Sequence, residues 1–407
     1  MSQVQAGWGG GPSARYEDLA ERFRPVFRRI RDTAAARDRE RRLPHEEIAW
    51  LREAGFTTLR LPRAHAGHDA TLPELFNLLI ELSAADSNVT NALRAHVGFT
   101  EDALNARSPA WREAWIARIG RGETVGSGVS ETGSARVGSF ETVLRRDGAG
   151  WRLSGTKYYT TGSLFADWIH LAAEDEAGAP VGAAVPRRAK GVEVIDDWDG
   201  FGQALTASGT VRFTEVSLSP DLVNPDPGRF RYAMAFFQLV HLATLAGIAR
   251  AAAEDVARLV GERRRVYSHG NAARAAEDPQ ILQVVGRVRG AAYAAGAVAL
   301  RSAEALQRVY DLEQAGDAAG AEAAGTVADI EVNQSVTPVT GLVLDATTLL
   351  FDALGASATA RSLGLDRYWR NARTIASHNP RIYRDRIVGD FAVNGTVPPK
   401  QYRVGQG

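Results

Sequence analysis

The 407-residue chain contains no cysteine. That excludes disulfide bridges, thiolate metal sites and a cysteine nucleophile, and it fits a reducing compartment such as the cytoplasm. Net charge is absent too: 48 lysines and arginines balance 48 aspartates and glutamates. Without surplus positive charge there is no broad surface for nucleic acid. No apolar run reaches the roughly 20 residues that span a bilayer. The best candidate, LVHLATLAGIARAAA, is interrupted by His241 and Arg250 and reads as a buried helix. The start, MSQVQAGWGGGPSA, lacks the basic and apolar regions of a signal peptide. No strand runs into a glycine-rich phosphate loop, which removes the Rossmann and P-loop readings. His65 and His68 have a metal-compatible spacing but no companion ligand cluster. What remains is an ordinary globular composition, 45% hydrophobic and 24% charged, at a length suited to roughly two to four domains.

The hydrophobic period divides the chain. Residues 1–15 read as a flexible tail. Across 16–123 apolar residues recur at three- and four-residue spacing, as in YEDLAERFRPVFRRIRDTAAARDRERRL, and predict an N-terminal helical domain. PELFNLLIELSAADSN and VTNALRAHVGFTEDALNARS are expected as one helix each. Across 124–222 the period becomes two: ETVLRRD, WRLSGTKYYTTG, WIHLAAE, VGAAVPR, GVEVIDDW and GTVRFTEVSL are short strands bounded by turn residues. Their short connections predict a small antiparallel β-barrel or sandwich. From 223 to 407 long helices return and predict a bundle, with AGDAAGAEAAG as a linker or helix end and Pro338 as a possible kink. Helices, then strands, then helices is the α+β class.

Several motifs, in this order, resemble the acyl-CoA dehydrogenase superfamily: FTTLRLPRAHAGHDATLPELFNLLIELSAADSNV, GSGVSETGSA, WRLSGTKYYTTGSLFADWIHL and FGQALTASGTVRFTEVSL. The resemblance implies an N-terminal helical domain, a central antiparallel β-barrel and a C-terminal four-helix bundle around a flavin. Within the superfamily, ARDRERRLP, DDWDGFGQALTASG, LDRYWRNARTIASHNP and VGDFAVNG resemble the flavin-dependent monooxygenases of the dibenzothiophene monooxygenase and sulfur-acquisition type. That branch implies reduced FMN delivered by a separate flavin reductase, a flavin hydroperoxide, and oxygen transfer to a small apolar sulfur-containing, nitrogen-containing or aromatic substrate. It also implies a homotetramer. An FAD-dependent acyl-CoA dehydrogenase with a displaced base is the alternative. Acyl thioester desaturation needs a carboxylate to remove the α-proton. Neither place where the dehydrogenases carry that glutamate has one here. The first reads Ala376-Ser377-His378-Asn379-Pro380, and no glutamate occurs from Val216 to Ala253.

The resemblance assigns site residues in turn. His378, in the base passage, would hydrogen-bond the hydroperoxide and return a proton to it. His96 would lie on the substrate side, with Thr100 one turn later on the same helix face. Tyr159, Thr160 and Thr161 form the flavin-facing strand end, and Thr161 and Ser163 would offer hydroxyls to the flavin or its oxygen adduct. Ser127, Val129, Ser130, Glu131 and Thr132 would run beside the isoalloxazine, with Trp198 packed close by. Arg265 would reach the flavin phosphate across a subunit interface. Ser357 stands where a relative has arginine, which removes one expected charge.

Overall fold

A computed structural model describes residues 7–133, 138–224 and 228–400. The chain begins with helix α1 (Tyr16–Glu40), whose buried Tyr16, Leu19, Phe23, Phe27, Ile30 and Ala34 fall on one stripe. Helix α2 (His45–Glu53) follows. Helix α3 (Leu72–Ala85) opens with a capping box: Glu74 N–H donates to Thr71 Oγ1, and the Thr71 amide donates back to the Glu74 carboxylate.

Where two helices meeting between Asn88 and Val89 are expected, three form. Asp86 adopts an extended backbone and its carboxylate accepts from the Asn88 amide, so α3 ends and α4 (Ser87–Ala92) starts afresh. A second break at Leu93 separates α4 from α5 (Arg94–Leu104). Short side chains that compete for backbone bonds, Asp86 to Thr90, explain the first break better than any loss of hydrophobic period. Helix α6 (Pro109–Gly120) is capped by Ser108 and closes the helical part.

The middle part is one eight-stranded sheet. Its strands are β1 (Val125–Gly128), β2 (Val143–Asp147), β3 (Gly150–Lys157), β4 (Trp168–Asp175), β5 (Pro180–Pro186), β6 (Val192–Ile195), β7 (Thr210–Leu218) and β8 (Val223–Asn224). The order is β6-β7-β3-β2-β4-β5-β8, with β1 added alongside β4. The expectation of purely antiparallel pairing fails at β4, which runs parallel to both β1 and β2. The reason is topological: the β2–β3 hairpin and the 158–167 segment form the long crossover that parallel neighbours require. Inward residues Leu144, Leu153, Ile169, Val185, Val211 and Val216 make a second core, closed on one side by Trp111 and Trp115 of α6.

The C-terminal helices are α7 (Ala233–Glu262), α8 (Pro279–Gln314), α9 (Ala318–Leu349), α10 (Asp366–Ala376) and α11 (Arg384–Asn394). The first three pack on α1 and α3 around the main core. Most of AGDAAGAEAAG proves to be helix: Asp317 caps the Gly320 amide, and α9 runs from Ala318 straight through Pro338. Contrary to the sequence reading, α7 and the stretch Ala318–Ala353 are long and apolar enough to cross a membrane by length and composition. Within them, 83% of the most apolar window of α7 is buried in the protein, against 44% of the second.

Candidate active site

Three parts of the chain meet at one junction. Gln203, in the loop before β7, accepts nothing on its amide oxygen, but its backbone N–H donates to Asn371 Oδ1 of α10 at 2.6 Å and its side chain to Ser87 Oγ of α4 at 3.1 Å. The Leu205 amide donates to Asn88 Oδ1. The loop after β3 presses on α4 as well. Gly162 has φ +84°, and a Cβ there would fall 2.2 Å from the Ala92 carbonyl oxygen, so only glycine fits. The barrel loops, α4 and α10 are therefore in direct contact at this junction.

His378 sits one turn beyond Thr374, just past the end of α10, where its amide bonds the Ile375 carbonyl. Its ring meets that of His241 on α7 edge to face, with centroids 4.3 Å apart. His241 is buried and neither of its ring nitrogens has a partner. His378 keeps exposed surface, yet protein crowds it from the sides, as at the floor of an open cleft. Desolvation and the Arg94 guanidinium together push its pKa down to about 3. Burial pushes His241 further down, helped by His378, Arg94 and Arg384. No carboxylate acts on either ring. Both imidazoles are neutral at physiological pH. The neutral ring offers one N–H donor and one acceptor, and it is a weak base for C–H abstraction.

On the barrel side of the junction three hydroxyls are bonded in a row. Thr161 Oγ1 and Ser208 Oγ are 2.8 Å apart, and Ser208 Oγ lies 2.7 Å from Thr206 Oγ1. Thr206 Oγ1 also donates to the Gln203 carbonyl at 2.9 Å, so the protons left to rotate are those of Thr161 and Ser208. At the lip, Tyr159 (φ +60°) and Trp198 meet edge to face with centroids 6.0 Å apart, and Tyr159 is 48% exposed. Trp198 is fixed by donating to the Gly202 carbonyl.

The N-terminal, middle and C-terminal domains of acyl-CoA dehydrogenase match residues 14–123, 128–216 and 239–380. This chain belongs to the acyl-CoA dehydrogenase superfamily. Its relatives in that superfamily include monooxygenases. It is 27% identical to the dibenzothiophene monooxygenase of Mycolicibacterium goodii, over 95% of this chain and 96% of that one. It is also 27% identical to the probable FMNH2-dependent monooxygenase SfnC of Pseudomonas putida, covering 91% and 93%. The FMN-bound structure of TdsC from Paenibacillus sp. A11-2 superposes with a TM-score of 0.85 at 26% identity, covering 95% and 99%. The resemblance read from the motifs is thus the family found.

Among the residues assigned from sequence, His378, Thr161, Tyr159 and Trp198 border this junction. Ser163 donates to the Ser127 carbonyl and Thr160 to the Gly209 carbonyl, so both hydroxyls spend their protons on the backbone. The Ser130 and Val129 carbonyls accept from the Tyr158 amide and from Lys157 Nζ.

Four further assigned residues have the following surroundings. Glu131 pairs with the buried Lys157 at 2.5 Å and accepts from the Glu141 and Thr142 amides. Burial pushes its carboxyl up, but these partners outweigh burial and hold it below its ordinary value. It anchors a loop. Thr100 donates to the His96 carbonyl within its own helix. His96 Nε2 bonds the Thr57 carbonyl at 2.8 Å, its Nδ1 has no partner, and burial pushes its pKa down to about 4. Finally, Arg265 is exposed, and Arg263 is the arginine that reaches Ser357 and the Leu354 carbonyl. That cluster lies about 20 residues along α7 from His241, roughly 30 Å at 1.5 Å per residue, so one protomer does not bring it to the cleft.

Sequence reasoning missed His241, Arg94, Thr206 and Ser208. The signal for the first was visible: a histidine inside the most apolar stretch of the chain demands a reason. Nothing local marks the others.

Proposed function

We propose that this chain is a monooxygenase that takes reduced FMN from a separate flavin reductase and transfers one atom of dioxygen to a small sulfur-containing, nitrogen-containing or aromatic substrate. One observation carries the reading. Where the fold's dehydrogenases need a carboxylate base, the cleft holds a neutral histidine pair on which no carboxylate acts. The donor set suits a flavin. Rotatable hydroxyls at Thr161 and Ser208 match a ring edge bearing both donors and acceptors, and the Tyr159–Trp198 pair offers aromatic surface.

Bound reduced FMN would supply two electrons to dioxygen, so that one oxygen atom enters the substrate and the other leaves as water. The protein's share is positioning. Thr161 and Ser208 would hold the ring edge, with Thr206 fixing Ser208 from behind. Ser127, Ser130 and Thr132 would line its length. Tyr159 and Trp198 limit water at the mouth. His378, held neutral, donates a hydrogen bond to the oxygen being transferred. Its low pKa makes it a hydrogen-bond donor more than a reservoir of protons, which revises the role read from sequence. His241 packs against it and fixes the ring plane. The same reading makes the assembly a homotetramer. Another copy would bring the Arg263–Ser357 end of its α7 toward the flavin phosphate, with Arg265 beside it.

The test is anaerobic mixing of the protein with reduced FMN, then with air-saturated buffer, followed by absorbance. Protein-dependent slowing or staging of flavin reoxidation is expected. Reoxidation at the rate of free flavin overturns the proposal. Bleaching of bound FAD by an acyl-CoA, without oxygen, would establish the dehydrogenase alternative instead.

A further inference from the structure

Arg94, the first residue of α5, is a cation without a counter-ion. It makes no ion pair among the described residues, and its buried Nε has no hydrogen-bond partner. The residue is half-buried, and of the guanidinium nitrogens only Nε is buried without a partner, so the fork has donors left for a ligand. Its guanidinium lies 5.0 Å from the centre of the Phe237 ring, and that of Arg229 lies 4.4 Å from the same ring. Phe237 can lie there because residue 98 is glycine; a Cβ would come within 2.2 Å of the ring. Arg229 has a carboxylate of its own, Asp102, in a two-bonded pair. The three groups therefore leave one positive charge over, and it resides on Arg94. Burial and Arg229 lower the Arg94 pKa to about 10, which leaves it charged at physiological pH. Arg94 in turn is the one charged side chain whose field depresses His378, and it also acts on His241.

A lone cation beside an aromatic ring, next to the histidine pair of the reaction cleft, is the chemistry of an anion receptor. We propose that Arg94 binds a planar or tetrahedral oxyanion on the substrate, so that the substrate is a small organic anion: a sulfinate, sulfonate or carboxylate with an apolar remainder against Phe237. This rests on the oxygenase reading above and narrows it. An apolar neutral substrate would leave the guanidinium unpaired after water is expelled, the costly outcome. An oxyanion meets it with charge-assisted, two-pronged hydrogen bonds.

The experiment compares matched probes by calorimetry, on the protein with and without bound FMN: benzenesulfinate against methyl phenyl sulfoxide, and benzoate against benzamide. The wild type is expected to bind each anion about 10- to 100-fold more tightly than its neutral partner. Arg94→Gln removes that preference while FMN affinity stays within about threefold; Arg94→Lys, which keeps a point charge and loses the fork, retains part of it. Equal affinity for anion and neutral probe in the wild type overturns the proposal, and so does a preference that survives in Arg94→Gln. If Arg94→Gln weakens FMN as much as the anion, the guanidinium serves the cofactor and the proposal also falls. Should the glutamine variant not fold, wild type against Arg94→Lys decides. Anion binding is read without oxygen or turnover, so failure of the oxygenase reading would show separately, in flavin reoxidation.

Discussion

His378 shows how much of a histidine's character comes from its surroundings. A free histidine would be half-protonated near its ordinary value of about 6.5. Here crowding and Arg94 bring it down to about 3, and it faces His241 at 4.3 Å. A neutral imidazole in that place orients and donates a hydrogen bond. His378→Ala is therefore expected to lower product formed per reduced flavin by about 100-fold or more, the loss typical of one donor at a developing oxyanion. Flavin affinity should stay within a few-fold, and peroxide released to solvent should rise. Product yield and peroxide measured together check this; an unchanged yield would reduce His378 to a helix-end residue. Because His378 is already neutral from about pH 5 upward, the coupling of the wild type should show no step near pH 6.5.

At the scale of elements, the cleft depends on where α4 starts. Asp86 caps α4 and also receives Arg37 of α1 at 2.7 Å, while Arg37 reaches Glu47 of α2 at 2.7 Å on its other side. Arg37 and Glu47 are fully buried, so the network has no water to fall back on. Arg37→Met leaves Asp86 in the interior without its cation and leaves Glu47 with only the half-exposed Arg42, at 2.8 Å. A loss of about 3–5 kcal/mol is expected, the usual result of removing one partner from a buried ion pair. It should appear as a lower urea midpoint with little change in slope. Flavin affinity should fall too, because Ser87 and Asn88 of α4 hold Gln203 and Leu205 of the barrel loop. A triple variant that also replaces Glu47 with Met and Asp86 with Asn, which keeps an acceptor for the α4 cap, would recover part of the stability.

For the whole molecule, acid stability follows from its histidines. Burial lowers His96 and His170 to about 4 and His241 further, and burial with Arg94 lowers His378. Each folded-state value lies below the unfolded one, so the unfolded chain binds more protons between about pH 4 and 6.5. Stability is then full above pH 6.5 and is lost as pH falls through that window, by about 1.4 kcal/mol per pH unit for each proton. Carboxylates act lower. Glu74, held at about 2 by Arg15, Ser13 and Thr71 against its own burial, contributes loss only below its ordinary value near 4.5. Unfolding midpoints measured from pH 7 to 4 should fall with this slope, and His96→Gln should flatten it by up to one proton. Assembly gives a second test at this scale. If α7 ends from other copies complete the flavin phosphate site, FMN affinity should drop as the oligomer is diluted apart. A monomer by light scattering that binds FMN tightly would remove both the tetramer and the shared site.

The sequence by itself determined the helical, strand-rich and helical thirds, because the hydrophobic period is a local property that changes from about 3.6 to 2 and back. Motif order was enough for the superfamily, and the missing glutamates were legible as absences. His378 was legible because it stands in a passage with a known duty. Tertiary structure alone decided the rest. The parallel pairing of β4 depends on which strands the crossover brings together, and no local signal encodes that. Glu131 looked like a ligand of the flavin until Lys157, 26 residues later, closed on it. Arg94 and His241 are 147 residues apart, and their meeting with His378 is a consequence of how α5, α7 and the end of α10 pack. A lone charge or a lowered pKa is a property of surroundings, and only packing creates them.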